Sequence, residues 1–304
     1  YLAAIGTHAA TLFFAREVFG TRIAALTSLL FLVSPFETLC ATANIPDYIH
    51  SCFGVLMVQA LVLGYRRERK LWMAFAGLAF FLGLLNRMAM MLYLPPIGFA
   101  MIWTVWRARR AHRLGLVLTL WTTFYLTIAA LLPILCAVDY VYSGSAFRWF
   151  YFNSLGGHDV TAILDYILMV YPRYLFFKDD LGNSMFGLTA WPMVFGFILA
   201  LVRLARRRDN EQAWFILGCV FFLLLIEFMP HQLTLKGYYS HSRIFRYLAQ
   251  AVPAVYVVSA YFLDFLWPRT IGVFAWGKGV LATVVIWSAL HIMPVRFALS
   301  DAAQ

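Results

Sequence analysis

The sequence predicts an all-α, polytopic transmembrane protein of about ten spans, with interfacial helices on its outer face. Composition is the first ground. The chain is 63% hydrophobic and 12% charged, with a mean hydropathy of +0.77, whereas a soluble domain is about half apolar and a quarter charged. The second ground is the run of long apolar blocks, separated by short basic clusters. The third is that the intervening connections differ in kind. They hold most of the carboxylates and histidines, and many aromatics.

The blocks that can form spans are 1–15, 23–36, 52–65, 71–85, 88–106, 114–138, 185–202, 213–230, 247–267 and 270–290. They are continuous and lack period-two alternation, so strands are not expected within them. Residues 1–304 are read as a single membrane unit. The net charge of +10 does not point to nucleic acid, because the basic residues sit in short clusters at block ends, where they anchor helices. Cys40, Cys52, Cys136 and Cys219 show no CxxC spacing and are read as packed thiols, with a Cys40–Cys52 bridge as the alternative.

The connections sort by charge. Segments 16–22, 66–70, 107–113, 203–212 and 268–278 carry 16 of the 24 lysines and arginines. The opposite side has most of the acids, among them Glu37, Asp47, Asp139, Asp179 and Asp180. The positive-inside rule makes the basic side cytoplasmic. The outer side then holds 37–51, 231–246 and the long connection 139–184. Within that last segment, 161–177 is too short and too aromatic to span, and is expected to be an interfacial helix.

Four outer constellations can carry chemistry. The first is Asn44-Ile45-Pro46-Asp47-Tyr48, with Glu37 before it and His50 after it. Pro46 interrupts a helix. A carboxylate at such a break either faces a cavity, where it binds a hydroxyl or metal or acts as a base, or caps the following helix. The second is Asn86-Arg87, where the guanidinium either snorkels to headgroups or grips a phosphate. The third is 231–247, with His231, Lys236, Tyr239, His241, Arg243, Arg246 and Tyr247. Three permanent cations on the outer side run against the topological trend. An anionic ligand such as a lipid phosphate accounts for them, and a headgroup-binding loop is the alternative. Arg243 and Arg246, three apart, share a face if helical. The fourth, Lys178-Asp179-Asp180, reads first as a solvated turn and second as a cation site; His158-Asp159 is similar. No nucleotide motif, HExxH or Ser/His/Asp pattern is present.

These segments resemble a known family. The run FFAREVFGTRIAALTSLLFLVSP…NIPDYIH, with Arg16, Phe19-Gly20, Ser34-Pro35 and Pro46-Asp47, is similar to the early part of the GT-C membrane glycosyltransferases. The similar branch is that of protein O-mannosyltransferases and lipid A aminoarabinose transferases. LAFFLGLLNRMAMMLYLPP resembles the family's next helix pair, in which a lysine is common at the position of Arg87. SRIFRYLAQAVPAVYVVSAYFL resembles its late helix, through Arg246-Tyr247-Leu248 and Pro253. The resemblance implies an inverting transferase with a polyprenyl-phosphate sugar donor, an acceptor glycan, lipid or protein, and an active site facing outward from a bacterial inner membrane. The catalytic base is then either Asp47 or a carboxylate upstream of Tyr1. Arg87, Lys236, Arg243 and Arg246 bind the donor phosphate, and Glu37, His50, His231, Tyr239, His241 and Tyr247 face substrate. No cofactor is required by this reading, and a divalent cation is left open. In the family the key acidic motif lies in the first outer loop, so the resemblance implies that the chain starts beyond the first helix and that loop. A secondary transporter or lipid flippase, a non-catalytic assembly subunit, and a different lipid-linked ligase or polymerase are the competing readings.

Overall fold

The computed structural model describes residues 2–36, 47–86, 88–144, 175–176, 186–207, 210–227, 230–234, 237–240, 249–268, 270–271 and 274–301. Helices dominate them, as the composition requires. They gather into two compact units: Tyr1–Tyr48 with Leu164–Glu227 and Arg243–Gln304, and Ile49–Ile163 with Phe228–Ser242.

The first unit opens with α1 (Leu2–Phe19) and α2 (Thr21–Val33). Gly20 joins them at φ 98°, a left-handed value that costs a side-chain-bearing residue about 1–2 kcal/mol. Gly20→Ala is therefore expected to lower the thermal midpoint of the detergent-solubilised protein, although the space around Gly20 is open. Helix α2 stops at Ser34 (ψ 124°), because the proline that follows disfavours a helical conformation there. A short 3-10 turn, Gly187–Thr189, leads into α7 (Trp191–Arg206). Next come α8 (Glu211–Glu227), α9 (Val252–Leu266) and α10 (Trp276–Asp301). The Asn210 side chain accepts a bond from the Ala213 amide at 3.0 Å, which caps the start of α8.

Helix α9 is the axis of this unit. Its residues Val252 to Leu263 are buried apart from Phe262, and α1, α2, α7, α8 and α10 pack on it. Apolar attraction between helices is weak in lipid, so close backbone approach matters. Gly196 of α7 provides it: a Cβ there would lie 2.4 Å from the Val258 carbonyl oxygen. Gly196→Leu is expected to force α7 from α9 at a cost of about 1–3 kcal/mol or more. A thermal midpoint unchanged from wild type would contradict that packing.

The second unit comprises α3 (Asp47–Arg67, from Ile49 onward), α4 (Lys70–Asn86), a 3-10 turn (Met88–Tyr93), α5 (Leu94–Arg110) and α6 (Leu114–Ser143). Helices α4 and α6 pack together, with Gly77 against the Phe124 carbonyl and Phe80 edge-on to Phe124. The Trp121 indole N–H donates to the Thr104 hydroxyl at 2.9 Å and ties α6 to α5. Helix α6 contains Pro133 and ends on Gly144 at φ 73°. At 30 residues it is about 45 Å long, beyond the ~30 Å hydrocarbon core.

Several sequence boundaries need correction. The block 88–106 is not one helix: Pro95 and Pro96 start a new one at Leu94, which continues to Arg110. Helix α6 runs past 138 to Ser143, α7 starts at Trp191 instead of 185, and the last helix is displaced from 270–290 to Trp276–Asp301. Short antiparallel ladders appear in two connections, β1 (Pro230–Thr234) with β2 (Gly237–Ser240) and β3 (Thr270–Ile271) with β4 (Phe274–Ala275). Cys40, the partner in the alternative bridge to Cys52, lies outside the described residues. By length and composition, Ile49–Arg67 and Leu114–Val138 are each sufficient to cross a membrane, and further apolar helices are shorter. The expected interfacial helix at 161–177 lies outside the described residues except Leu175 and Phe176.

Candidate functional site

Two contacts fix how α2 and α9 run. Near the start of α2, Arg22 pairs with Asp264 near the end of α9, at 3.6 Å. Just past the end of α2, Ser34 accepts a hydrogen bond from the Tyr256 hydroxyl, near the start of α9. The two helices are therefore antiparallel. The ion pair is partly exposed and contributes about 1 kcal/mol or less; its interest is the end of the unit that it marks.

The remaining helices of the first unit follow the same polarity. At the Arg22 end, the Gln212 side-chain amide donates to the Val18 carbonyl at 3.4 Å. The Arg203 guanidinium lies over the Tyr261 ring at 4.7 Å and the Phe265 ring at 5.7 Å. Lys278 stands over Trp267. At the Ser34 end, Phe36 stacks on Phe186 with centroids 4.6 Å apart, and Phe186 packs on Tyr256. The Ser259 hydroxyl donates to the Thr189 carbonyl at 2.8 Å. One end of this unit thus holds the basic clusters, and the other a buried polar and aromatic node.

The second unit sorts in the same way. Arg113 bonds to Glu68, and this joins the turn between α3 and α4 to the turn between α5 and α6. Each turn reverses through a non-glycine residue in the left-handed region, Glu68 at φ 55° and His112 at φ 56°. The clusters 66–70 and 107–113 are therefore neighbours. The beginning of α3 and the end of α4 lie away from them.

Of the sequence-predicted site residues, Asp47, His50, His231 and Tyr239 are among the described residues. Asp47 is the first residue of α3. His50 follows one turn later and is buried. Arg87 follows the end of α4. Glu37 comes three positions after Ser34, and Arg243, Arg246 and Tyr247 precede α9 in the sequence. His231 and Tyr239 lie on paired strands, β1 and β2, where Gln232 faces Tyr239 across the ladder and the register shifts at His231. Glu37, Arg87, Lys236, His241, Arg243, Arg246 and Tyr247 lie outside the described residues, as do His158-Asp159 and Lys178-Asp179-Asp180. Among the described residues, no group of three His, Cys, Asp or Glu side chains could hold a metal ion.

Two features escaped the sequence reading. The node formed by Ser34, Phe36, Phe186 and Tyr256 joins residues up to 222 positions apart, beyond the reach of any local pattern. His8 of α1 lies 2.8 Å from the Ser28 hydroxyl and stacks on Phe31. An ionisable residue inside an apolar helix is itself a signal, and His8 could have been found by it.

Residues 2–136 match the family model described as dolichyl-phosphate-mannose-protein mannosyltransferase. Nearly the whole chain superposes on solved membrane enzymes. ArnT from Cupriavidus metallidurans in the apo state matches with a TM-score of 0.58 at 17% identity, over 94% of this chain and 47% of that one. The same protein bound to undecaprenyl phosphate matches with a TM-score of 0.56 at 16% identity, over 94% and 48%. The apo oligosaccharyltransferase of Archaeoglobus fulgidus gives 0.56 at 16% identity, over 97% and 44%. This chain thus spans about half the length of these solved relatives, and no curated protein matches it. The family match over residues 2–136 covers less than half of the chain, and the solved structures share its fold over nearly all of its length.

Proposed function

We propose that this chain is the membrane part of a transferase that moves a sugar from a polyprenyl-phosphate donor to an acceptor hydroxyl, on the outer face of a bacterial inner membrane. The observation that carries this reading is the polarity of the first unit. Its Ser34–Tyr256 end joins the exit of α2, toward Glu37 and Asp47, to the start of α9, which follows Arg243 and Arg246. The basic clusters lie at the other end, where the positive-inside rule puts the cytoplasm. The relative solved with undecaprenyl phosphate supports the donor class.

The chemistry follows from the residue types. The acceptor oxygen attacks the anomeric carbon and gives its proton to the Asp47 carboxylate. The bond from that carbon to the phosphate oxygen breaks on the opposite face, so configuration inverts. Negative charge builds on the departing polyprenyl phosphate, and Arg243 and Arg246, with Arg87 and Lys236, neutralise it as it forms. The donor is already activated, so no nucleotide enters the reaction. Glu37, His50, His231, Tyr239, His241 and Tyr247 complete the substrate-facing set.

Orientation is tested by labelling. Single cysteines placed at Arg67, Arg110 and Arg207 in a background lacking the native thiols are expected to be closed to a membrane-impermeant maleimide in intact cells. A cysteine at His241 is expected to react. Labelling of the three arginine positions from outside would reverse the assignment.

A further inference from the structure

We propose that the joined turns at the basic end of the second unit bind the phosphate of an anionic phospholipid, in the leaflet that the positive-inside rule makes cytoplasmic. The site goes beyond the transferase reading and does not depend on it. Segments 66–70 and 107–113 carry eight lysines and arginines and one carboxylate, Glu68. One such cluster is enough to anchor a helix end. Two clusters side by side repel each other, and the structure uses the one carboxylate to join them: Glu68 pairs with Arg113. The pair is exposed, so its Coulomb attraction adds little stability. Its effect is to converge the cations of two turns on one surface.

The flank of this surface fits a lipid better than a soluble anion. Along α5, Phe99, Ile102, Trp106 and Arg110 recur three or four positions apart and so share one face. Phe99, Ile102 and Trp106 are 44%, 66% and 46% exposed, and Arg110 is exposed as well. The stripe is apolar for about two turns and cationic at its end, which matches an acyl chain topped by a phosphate. The arginines are also positioned. The Arg110 guanidinium lies 3.8 Å over the Trp106 ring, and the Arg107 guanidinium 5.5 Å over Trp103. An indole covers one face of a guanidinium and leaves its N–H edge open to phosphate oxygens. Indoles themselves favour the headgroup level.

The test uses the full-length protein in maltoside micelles, with phosphatidylglycerol, phosphatidylcholine and inorganic phosphate as probes. Retained lipid is read by native mass spectrometry, and the fold of each variant by its thermal midpoint without lipid. The wild type is expected to hold phosphatidylglycerol about tenfold more tightly than phosphatidylcholine. Arg107→Gln with Arg110→Gln is expected to abolish that preference. Arg110→Lys keeps the charge and loses the fork, so part of the preference remains. Glu68→Gln separates a built site from general attraction. It makes the surface more positive, so general attraction would tighten the lipid. In a built site the turns part, and retention of phosphatidylglycerol falls about threefold or more. Should the double arginine variant not fold, Arg110→Lys and Glu68→Gln decide the question. Equal retention of the two lipids by the wild type, tighter retention in Glu68→Gln, or displacement of the lipid by millimolar inorganic phosphate would overturn the proposal.

Discussion

Arg246→Ala is expected to lower sugar transfer by about 10²- to 10³-fold, as removal of a charged group from the site of developing negative charge does elsewhere. The leaving group in the proposed reaction is a lipid phosphate. It gains charge as the glycosidic bond breaks, close to the apolar part of the bilayer, where water helps little. A guanidinium pairs with such a group through two parallel hydrogen bonds. Arg246→Lys keeps the charge and loses the fork, so an intermediate loss is expected. The competing explanation for the outer cations is general attraction to membrane headgroups. Exposed cations of that sort are worth about 1 kcal/mol each and are screened by salt. On that explanation Arg246→Ala would cost less than about tenfold, and Arg246→Lys nothing. The measurement is transfer rate at saturating donor, with the folded state checked by thermal midpoint.

Asp47→Asn is expected to lower kcat by about 10²- to 10⁴-fold, the usual range for loss of a positioned general base. This substitution separates the two readings of the residue. Asp47 opens α3, and asparagine caps a helix about as well as aspartate. If capping is its whole role, the asparagine variant keeps both stability and activity. If the carboxylate takes the acceptor proton, stability stays and activity goes. Asp47→Ala removes both and is expected to lose stability as well, by about 0.5–2 kcal/mol. Addition of a chelator to the wild type decides whether a divalent cation works beside this carboxylate.

Much of the architecture was legible because it follows from charge and hydropathy. The basic turns at 66–70 and 107–113 were assigned to one side from sequence, and the Arg113–Glu68 pair joins them. Segments 16–22 and 203–212 were sorted together, and Arg22–Asp264 and Gln212–Val18 lie at one end of the first unit. Breaks were less legible. Pro95-Pro96 carries the signal for a new helix, but the apolar run through it hides the stop. The hairpin at 230–240 has only a few residues in each strand, too short to stand out inside a connection.

Site assembly was the least legible part. Asp47, Arg243 and Arg246 stood out because charge is rare in this chain. Ser34 and Tyr256 did not, because a serine before a proline reads as a helix stop and a tyrosine among valines reads as core. Their contact depends on α2 and α9 being antiparallel neighbours, a tertiary fact. His8 is hard to read for another reason: it lies inside an apolar helix, away from the outer connections where the charged residues gather.

The proposed reaction cleaves the donor, with polyprenyl phosphate as leaving group. The direct measurement follows a donor labelled in both its sugar and its lipid, with the full-length protein in nanodiscs and an acceptor-bearing envelope extract. The account predicts one polyprenyl phosphate released for each sugar transferred, inverted configuration at the anomeric carbon, and loss of both signals in Arg246→Ala. A donor that stays intact, or that crosses the bilayer uncleaved, would contradict it.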